Sequence, residues 1–322
     1  MKRIKKRMVL LAFCLWLTVQ TVWGAQLLVP GGQVIGLELL NNTVTVASFD
    51  EGLGETAREC GLQVGDRITA INGRPVHTAE DVREALRQTD GQAEISVLRD
   101  GKAKKLYLKP EITEDGPKMG VYLKQGITGV GTVTWYDPDS GSFGALGHGV
   151  NEPDGGLIAM EEGRVYDAKV LTVKTGKSGA PGQLMSAVTG TGILGKLSKN
   201  TAQGVFGNAA LSDKEEMLPV GTKDQIHTGS ATIRSTVQGN TVREYSVEIL
   251  KVYPNSGATG RNMLIKVTDP ALLSATGGIV QGMSGSPIIQ DGKLVGAVTH
   301  VLVNDPTTGY GIFIENMLDA AA

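Results

Sequence analysis

The sequence predicts a mainly β protein built as two units, a smaller α+β unit followed by a larger unit of barrel or sandwich type. Three observations predict this. Residues from about Pro30 to Pro110 alternate short β-branched runs with a single convincing helical stretch. From about Gly116 onward, short runs of apolar alternation recur with glycine turns between them and no long helix. Many short strands joined by glycine are what a closed or double-layered all-β unit requires. Glycine is also abundant, 44 of 322 residues, about twice the usual share of roughly 7%. With 41% hydrophobic residues and no Gly-X-Y period, that excess reads as tight turns and close backbone approaches, not as collagen or disorder.

The first 25 residues form a separate segment. Lys2, Arg3, Lys5, Lys6 and Arg7 precede an apolar run from Met8 to Val19, and Val22-Trp23-Gly24 places small residues at −3 and −1 of a cleavage before Ala25. The run is about twelve residues, short of the ~20 a spanning helix needs, so residues 1–25 read as a signal peptide. A retained membrane anchor is the alternative, because Thr18 to Trp23 can lengthen the apolar stretch. The formal charge of −2 is therefore a sum of two parts: without its five basic residues the chain carries 26 basic against 33 acidic residues, or −7. Such a balance excludes a generic nucleic-acid binder.

In the α+β unit, residues 30–110, Thr43 to Phe49 and Arg67 to Ile71 read as strands, and Glu55 to Glu59 as a short helical turn ending at Cys60. Cys14 lies in the leader, so Cys60 is left without an intramolecular disulfide partner and reads as a structural thiol. Thr78-x-x-Asp81 starts a helix that runs to about Gln88 with Val82, Ala85 and Leu86 on one face. Ala93 to Arg99 turns at Asp100-Gly101 into a strand ending at Leu108.

The phrase Gly61-Leu62-Gln63-Val64-Gly65-Asp66-Arg67-Ile68, continuing to Ile71-Asn72-Gly73, resembles PDZ domains. That resemblance implies a peptide added as a strand to a sheet edge, with Ile35, Gly36 and Leu37 as the peptide-binding loop.

In the second unit, residues 116–322, strands are expected over Val130 to Trp135, Val165 to Val173, Tyr245 to Val252 and Asn262 to Val267. Gln281-Gly282-Met283-Ser284-Gly285-Ser286-Pro287 combines a hydroxyl with small neighbours and a tight turn, so a carbonyl can approach Ser284. The segment resembles the nucleophile loop of chymotrypsin-like serine peptidases, which implies a double β-barrel and an oxyanion hole made by the N–H groups of Gly282 and Ser284. Met283 stands where an acidic residue is common. Of the four histidines, His148 in Gly144-Ala145-Leu146-Gly147-His148-Gly149 is the best base, since flanking glycines let the ring approach another segment. His300 is the rival; His77 lies in the first unit and His227 has no informative context.

Asp269 admits two readings. It can be the orienting acid, completing the order His148, Asp269, Ser284, or, before Pro270 and Ala271-Leu272-Leu273, the N-cap of a helix. By analogy with the strand that follows the nucleophile loop, Val298, Thr299 and His300 are expected to pair with substrate, with the Thr299 hydroxyl near the Asp269 carboxylate and His300 on the specificity side. Gly190-Thr191-Gly192-Ile193-Leu194-Gly195 satisfies a dinucleotide fingerprint with Glu215 downstream, but no βαβ pattern surrounds it and Gly204 interrupts any following helix. Neither His-x-x-x-His nor Cys-x-x-Cys occurs, so no metal or cofactor is expected.

The leader, the PDZ-like unit placed first, Gly144 to Gly149, Gly277 to Pro287 and Gly309-Tyr310-Gly311-Ile312-Phe313-Ile314-Glu315 together resemble the stage IV sporulation protein B family over nearly the whole chain. The resemblance implies a serine endopeptidase with His148, Asp269 and Ser284 as catalytic residues. It would be exported across the forespore membrane to the space between forespore and mother cell, and held to the membrane by its leader before self-cleavage near the N-terminus. It would cut a regulator of an intramembrane protease and so activate late sigma-factor processing, while the PDZ unit binds a peptide or a segment of its own chain. The alternatives from other classes are a PDZ scaffold with an inactive peptidase-like unit, and an envelope quality-control protease, whose PDZ unit follows the peptidase instead of preceding it.

Overall fold

The computed structural model describes residues 26–152, 155–211, 216–257 and 260–322; the leader and Glu215 lie outside them. Two six-stranded barrels make up most of the chain. In the first, Val34–Phe49, Val121–Tyr136, Ser142–Ala145, Gly204–Ala209, Gln183–Thr201 and Glu162–Lys174 pair in that order, and the last returns to the first. The second is a closed barrel of Gly229–Thr236, Val242–Val252, Met263–Val267, Asp305–Phe313, Lys293–Leu302 and Pro287–Gln290. Closure leaves no unpaired edge to manage, which is how short, glycine-punctuated strands become stable in water. The mainly β, double-barrel fold expected from the sequence is the fold observed.

Each barrel has its own interior. Ile35, Leu37, Leu39, Val133, Phe143 and Val165 fill the first; Ile233, Ile249, Met263, Ile265, Met283 and Phe313 fill the second. The fingerprint-like run Gly190 to Gly195 lies inside the Gln183–Thr201 strand and opens no helix.

The α+β unit, PDZ-like by its sequence, is inserted into the first barrel instead of preceding it. Val34–Phe49 and Val121–Tyr136 are each 16 residues long and pair twice, Val34 to Leu39 against Thr132 to Ile127 in the barrel and Val44 to Phe49 against Gln125 to Val121 beyond it. The break between Leu39 and Val44 marks the boundary. Gly126 sits there at φ 67°, where a Cβ would come within 1.8 Å of the Leu39 carbonyl oxygen, so only glycine lets the two chains cross.

Past the break, Arg67–Ile71, Ala93–Arg99 and Lys102–Leu108 extend the sheet, and the helices Glu55–Glu59 and Ala79–Arg87 cover a separate core of Val44, Val46, Ile68, Val82, Leu86 and Ile95. Thr78 and Asp81 form the expected capping box. The boundary expected near residue 30 is thus corrected: residues 34–40 belong to the first barrel, because residues 35–39 have both edges taken by barrel strands.

Candidate active site

His148 is delivered by a sharp turn. After Ser142–Ala145, Leu146 and Gly147 both adopt left-handed backbone, at φ 71° and 70°, and redirect the chain toward the second barrel, where Gly147 meets the side chains of Thr299 and Ile312. A left-handed leucine is strained and persists only where its surroundings hold it; here its N–H donates to the Thr132 carbonyl at 3.2 Å.

The His148 ring is half-buried, with Nδ1 3.0 Å from the Gly149 carbonyl oxygen. A carbonyl only accepts, so that contact places the proton on Nδ1 and leaves the Nε2 lone pair free. Burial holds the ring's pKa below the ordinary histidine value, with the Gly149 carbonyl opposing in part. The imidazole is therefore neutral and basic at pH 7.

Ser284 stands on a turn built from two short-range bonds, Met283 N–H to the Val280 carbonyl and Ser286 N–H to the Met283 carbonyl. Met283 is fully buried in the second barrel's core and anchors that turn, which accounts for an apolar residue at this position. Gln281 and Gly285 N–H groups are also bonded, to the Gly182 and Val298 carbonyls. Among the described residues, the amides of the 281–286 turn that have no partner are those of Gly282 and Ser284, the pair expected to bind an oxyanion. The Ser284 hydroxyl donates to the Thr299 carbonyl at 2.8 Å.

That carbonyl is aimed by a bulge in the Lys293–Leu302 strand between Val298 and His300. The Pro287–Gln290 strand pairs only as far as Ala297, so Thr299 and His300 lie on an edge whose other side is covered by Asp305–Phe313. His300 is exposed there, its ring 5.5 Å from that of His148, and its pKa is lowered by desolvation and by the His148 and Arg261 charges.

Two sequence expectations are corrected. The Asp269 carboxylate caps the Pro270–Thr276 helix, accepting from Ala271 and Leu272 N–H at 2.9 and 3.0 Å and from Ser246 N–H at 3.3 Å. Its oxygens are spent on backbone donors, and the Nδ1 side of His148 is met by Gly149 instead. The Thr299 hydroxyl correspondingly donates to the Gly260 carbonyl at 2.6 Å, not to Asp269.

Ile35, Gly36 and Leu37 cannot bind a peptide by strand addition: they pair with Gly131 to Gly129 on one side and Asp167 to Val165 on the other, with Ile35 and Leu37 buried. One open edge of the inserted unit is Val121 to Leu123, which faces the Ala79–Arg87 helix across a cavity of about 550 Å³ lined by Val82, Arg83, Leu86, Met119 and Val121; the other is Lys102–Leu108. The available signal was Lys118-Met119-Gly120-Val121, a glycine at φ 69° between apolar residues at the start of a strand.

A family model described as SpoIVB peptidase S55 matches residues 115–318. The chain belongs to that family. A PDZ-domain model matches residues 54–99 of this S55 peptidase. A protein of Pseudomonas fluorescens named as a DegP-like periplasmic serine endoprotease is 30% identical over 143 residues, 40% of this chain and 29% of the relative. A protein of Agrobacterium fabrum named as a zinc metalloprotease is 35% identical over 117 residues, 36% of this chain and 28% of the relative. The S55 chain thus spans less than a third of the length of these curated relatives. Among solved structures, the HtrA-type protease AlgW with a decapeptide is 14% identical, with 65% of this chain and 57% of AlgW covered, at a TM-score of 0.36. The inactive form of the M. tuberculosis H37Rv protease Rv3671c is 14% identical, with 60% and 84% covered, at 0.34.

Proposed function

We propose that this S55 peptidase is a serine endopeptidase in which Ser284 is the nucleophile, His148 the general base and the N–H groups of Gly282 and Ser284 the oxyanion hole. The observation that carries the reading is the pair of unpartnered amides, those of Gly282 and of Ser284 itself, in a turn whose other amides are all bonded. The Ser284 hydroxyl turns from the Thr299 carbonyl to His148 Nε2. As Oγ bonds to the scissile carbonyl carbon, its proton passes to Nε2 and the carbonyl oxygen becomes an oxyanion between the two N–H groups. Collapse of the adduct breaks the C–N bond, and the imidazolium returns the proton to the departing amine. Water, deprotonated by the same ring, then releases the acyl group.

The Gly149 carbonyl keeps the ring in the required tautomer, the role a carboxylate plays in the triad template. The substrate is a protein segment in extended form, laid against Thr299 and His300; Val298, expected to share this role, is fully buried with its N–H and carbonyl taken by Ser286 and Gly285. The PDZ unit takes a peptide or a segment of the same chain at Val121 to Leu123. We extend the reading, on the sequence resemblance alone, to export to the space between forespore and mother cell, self-cleavage, and cleavage of an envelope regulator that activates late sigma-factor processing.

The test compares the wild-type chain with Ser284→Ala for labelling by a serine-reactive fluorophosphonate and for self-cleavage. Labelling confined to wild type is expected. Equal behaviour of the two would leave a PDZ scaffold as the better reading.

A further inference from the structure

We propose that Thr132 is a positioning residue of the peptidase site, one that ties the oxyanion turn of one barrel and the His148 loop of the other to a single strand; the proposal rests on the serine-peptidase reading. Thr132 lies in the first barrel and is fully buried, far in sequence from every residue of the 281–286 turn. Its hydroxyl donates to the Gly282 carbonyl at 2.7 Å and its N–H to the Ser284 carbonyl at 3.2 Å. Its own carbonyl accepts the N–H of Leu146, the left-handed residue two before His148.

One residue therefore holds the carbonyls of Gly282 and Ser284, whose N–H groups form the proposed hole, and also the turn that presents the base. The fit is close: a Cβ on Gly285 would lie 2.0 Å from the Thr132 carbonyl oxygen and 2.5 Å from the Leu146 nitrogen. Thr134 extends the seam, its hydroxyl donating to the Gly285 carbonyl at 2.8 Å.

The Gly282 carbonyl belongs to the peptide unit Gly282–Met283, inside the three-residue span whose two ends supply the oxyanion donors. At φ 98°, Gly282 has backbone freedom that no side chain restricts. The Thr132 hydroxyl is the one side-chain donor to this carbonyl among the described residues, and it holds the carbonyl side of that peptide while the Met283 N–H bond to the Val280 carbonyl holds the other. Losing it lets the unit rock and moves the hole off the developing oxyanion. Misplacement of about 1 Å costs on the order of 10²-fold in rate.

The experiment uses the full chain with Thr132→Val, Thr132→Ser and, as reference, Ser284→Ala. Fluorophosphonate labelling of Ser284 is expected to slow about 10- to 100-fold in Thr132→Val, with the pH midpoint of labelling unchanged because His148 keeps its surroundings. Thr132→Ser retains the hydroxyl and is expected within about threefold of wild type. Hydrogen exchange of residues 280–287 gives a readout that needs no catalysis: faster exchange in Thr132→Val, wild-type protection in Thr132→Ser.

Equal labelling and equal exchange in all three Thr132 forms would overturn the positioning role. A loss in Thr132→Ser as large as in Thr132→Val would overturn it too, because keeping the hydroxyl would then fail to preserve the site. If Thr132→Val does not fold, Thr132→Ala, which also removes the hydroxyl, takes its place in both measurements with the same slowed labelling and faster exchange expected. Absence of Ser284-dependent labelling in wild type overturns the peptidase reading itself, while the exchange comparison still reports on Thr132.

Discussion

Asp269 and His148 show how much of the chemistry turns on single contacts. Asp269 spends its carboxylate on three backbone N–H groups, so its substitution acts on a helix end. Asp269→Asn, an equally good N-cap, is expected to keep activity within a few-fold, and Asp269→Ala to cost about 1 kcal/mol of stability; fluorophosphonate labelling and thermal unfolding check both. A triad acid would instead cost about 10⁴ in kcat on the asparagine change. For His148, burial lowers the folded-state pKa, so the ring is ready as a base below the pH at which a free histidine would be. The acid limb of the activity profile is expected below the ordinary value of 6.5 and is measured as kcat/KM against pH. The stability sign follows from the same direction: between the depressed pKa and the unfolded value the unfolded chain binds more protons, so stability from this ring is present above that window and is lost as pH falls through it.

At the scale of elements, the PDZ phrase is explained by one ion pair. Asp66 is fully buried; it takes Arg99 through both oxygens at 2.6 Å and also accepts the Gln63 N–H, while Arg99 donates to the Gly61 carbonyl. The Gly61 to Asp66 loop is thereby pinned to the end of Ala93–Arg99. Removing one partner leaves an uncompensated buried charge, so Arg99→Ala is expected to destabilise the PDZ unit by roughly 3–5 kcal/mol, read as a shift of its unfolding transition in denaturant. Local signals of this kind were legible in the sequence: the capping box at Thr78, the Asp100-Gly101 turn and the strands flanking it depend on residues adjacent in the chain. Which apolar run lies on a free sheet edge was not. Ile35-Gly36-Leu37 and Met119-Gly120-Val121 are both apolar runs around a glycine, and only the pairing of both edges of the first separates them.

For the whole molecule, the PDZ unit and the active site share a strand. Val121–Tyr136 begins at an open sheet edge of the inserted unit and continues to Thr132 and Thr134 beside the Ser284 turn. Because the insertion leaves and re-enters the barrel at neighbouring points, with Leu39 paired to Ile127, its removal closes a short gap. Replacing residues 42–125 with an Asn-Gly hairpin is expected to give a folded double barrel, checked by circular dichroism and by fluorophosphonate labelling of Ser284. Failure to fold would show that the barrel needs the inserted unit.

Sequence alone determined the β-rich class and the two kinds of unit, and it put forward the candidate serine and histidine with their glycine-lined turns, because these rest on periodicity, turn chemistry and short motifs. Tertiary structure decided what depends on partners distant in the chain. Pairing of residues 34–39 with 127–132 made the PDZ unit an insertion. The Pro270–Thr276 helix claimed Asp269. The Gly149 carbonyl took the position beside His148, and the Thr132 hydroxyl reached Gly282 across 150 residues. A carboxylate, a carbonyl and a hydroxyl each accept or donate wherever the fold puts them, so composition and spacing leave their partners open until strand register fixes which groups meet.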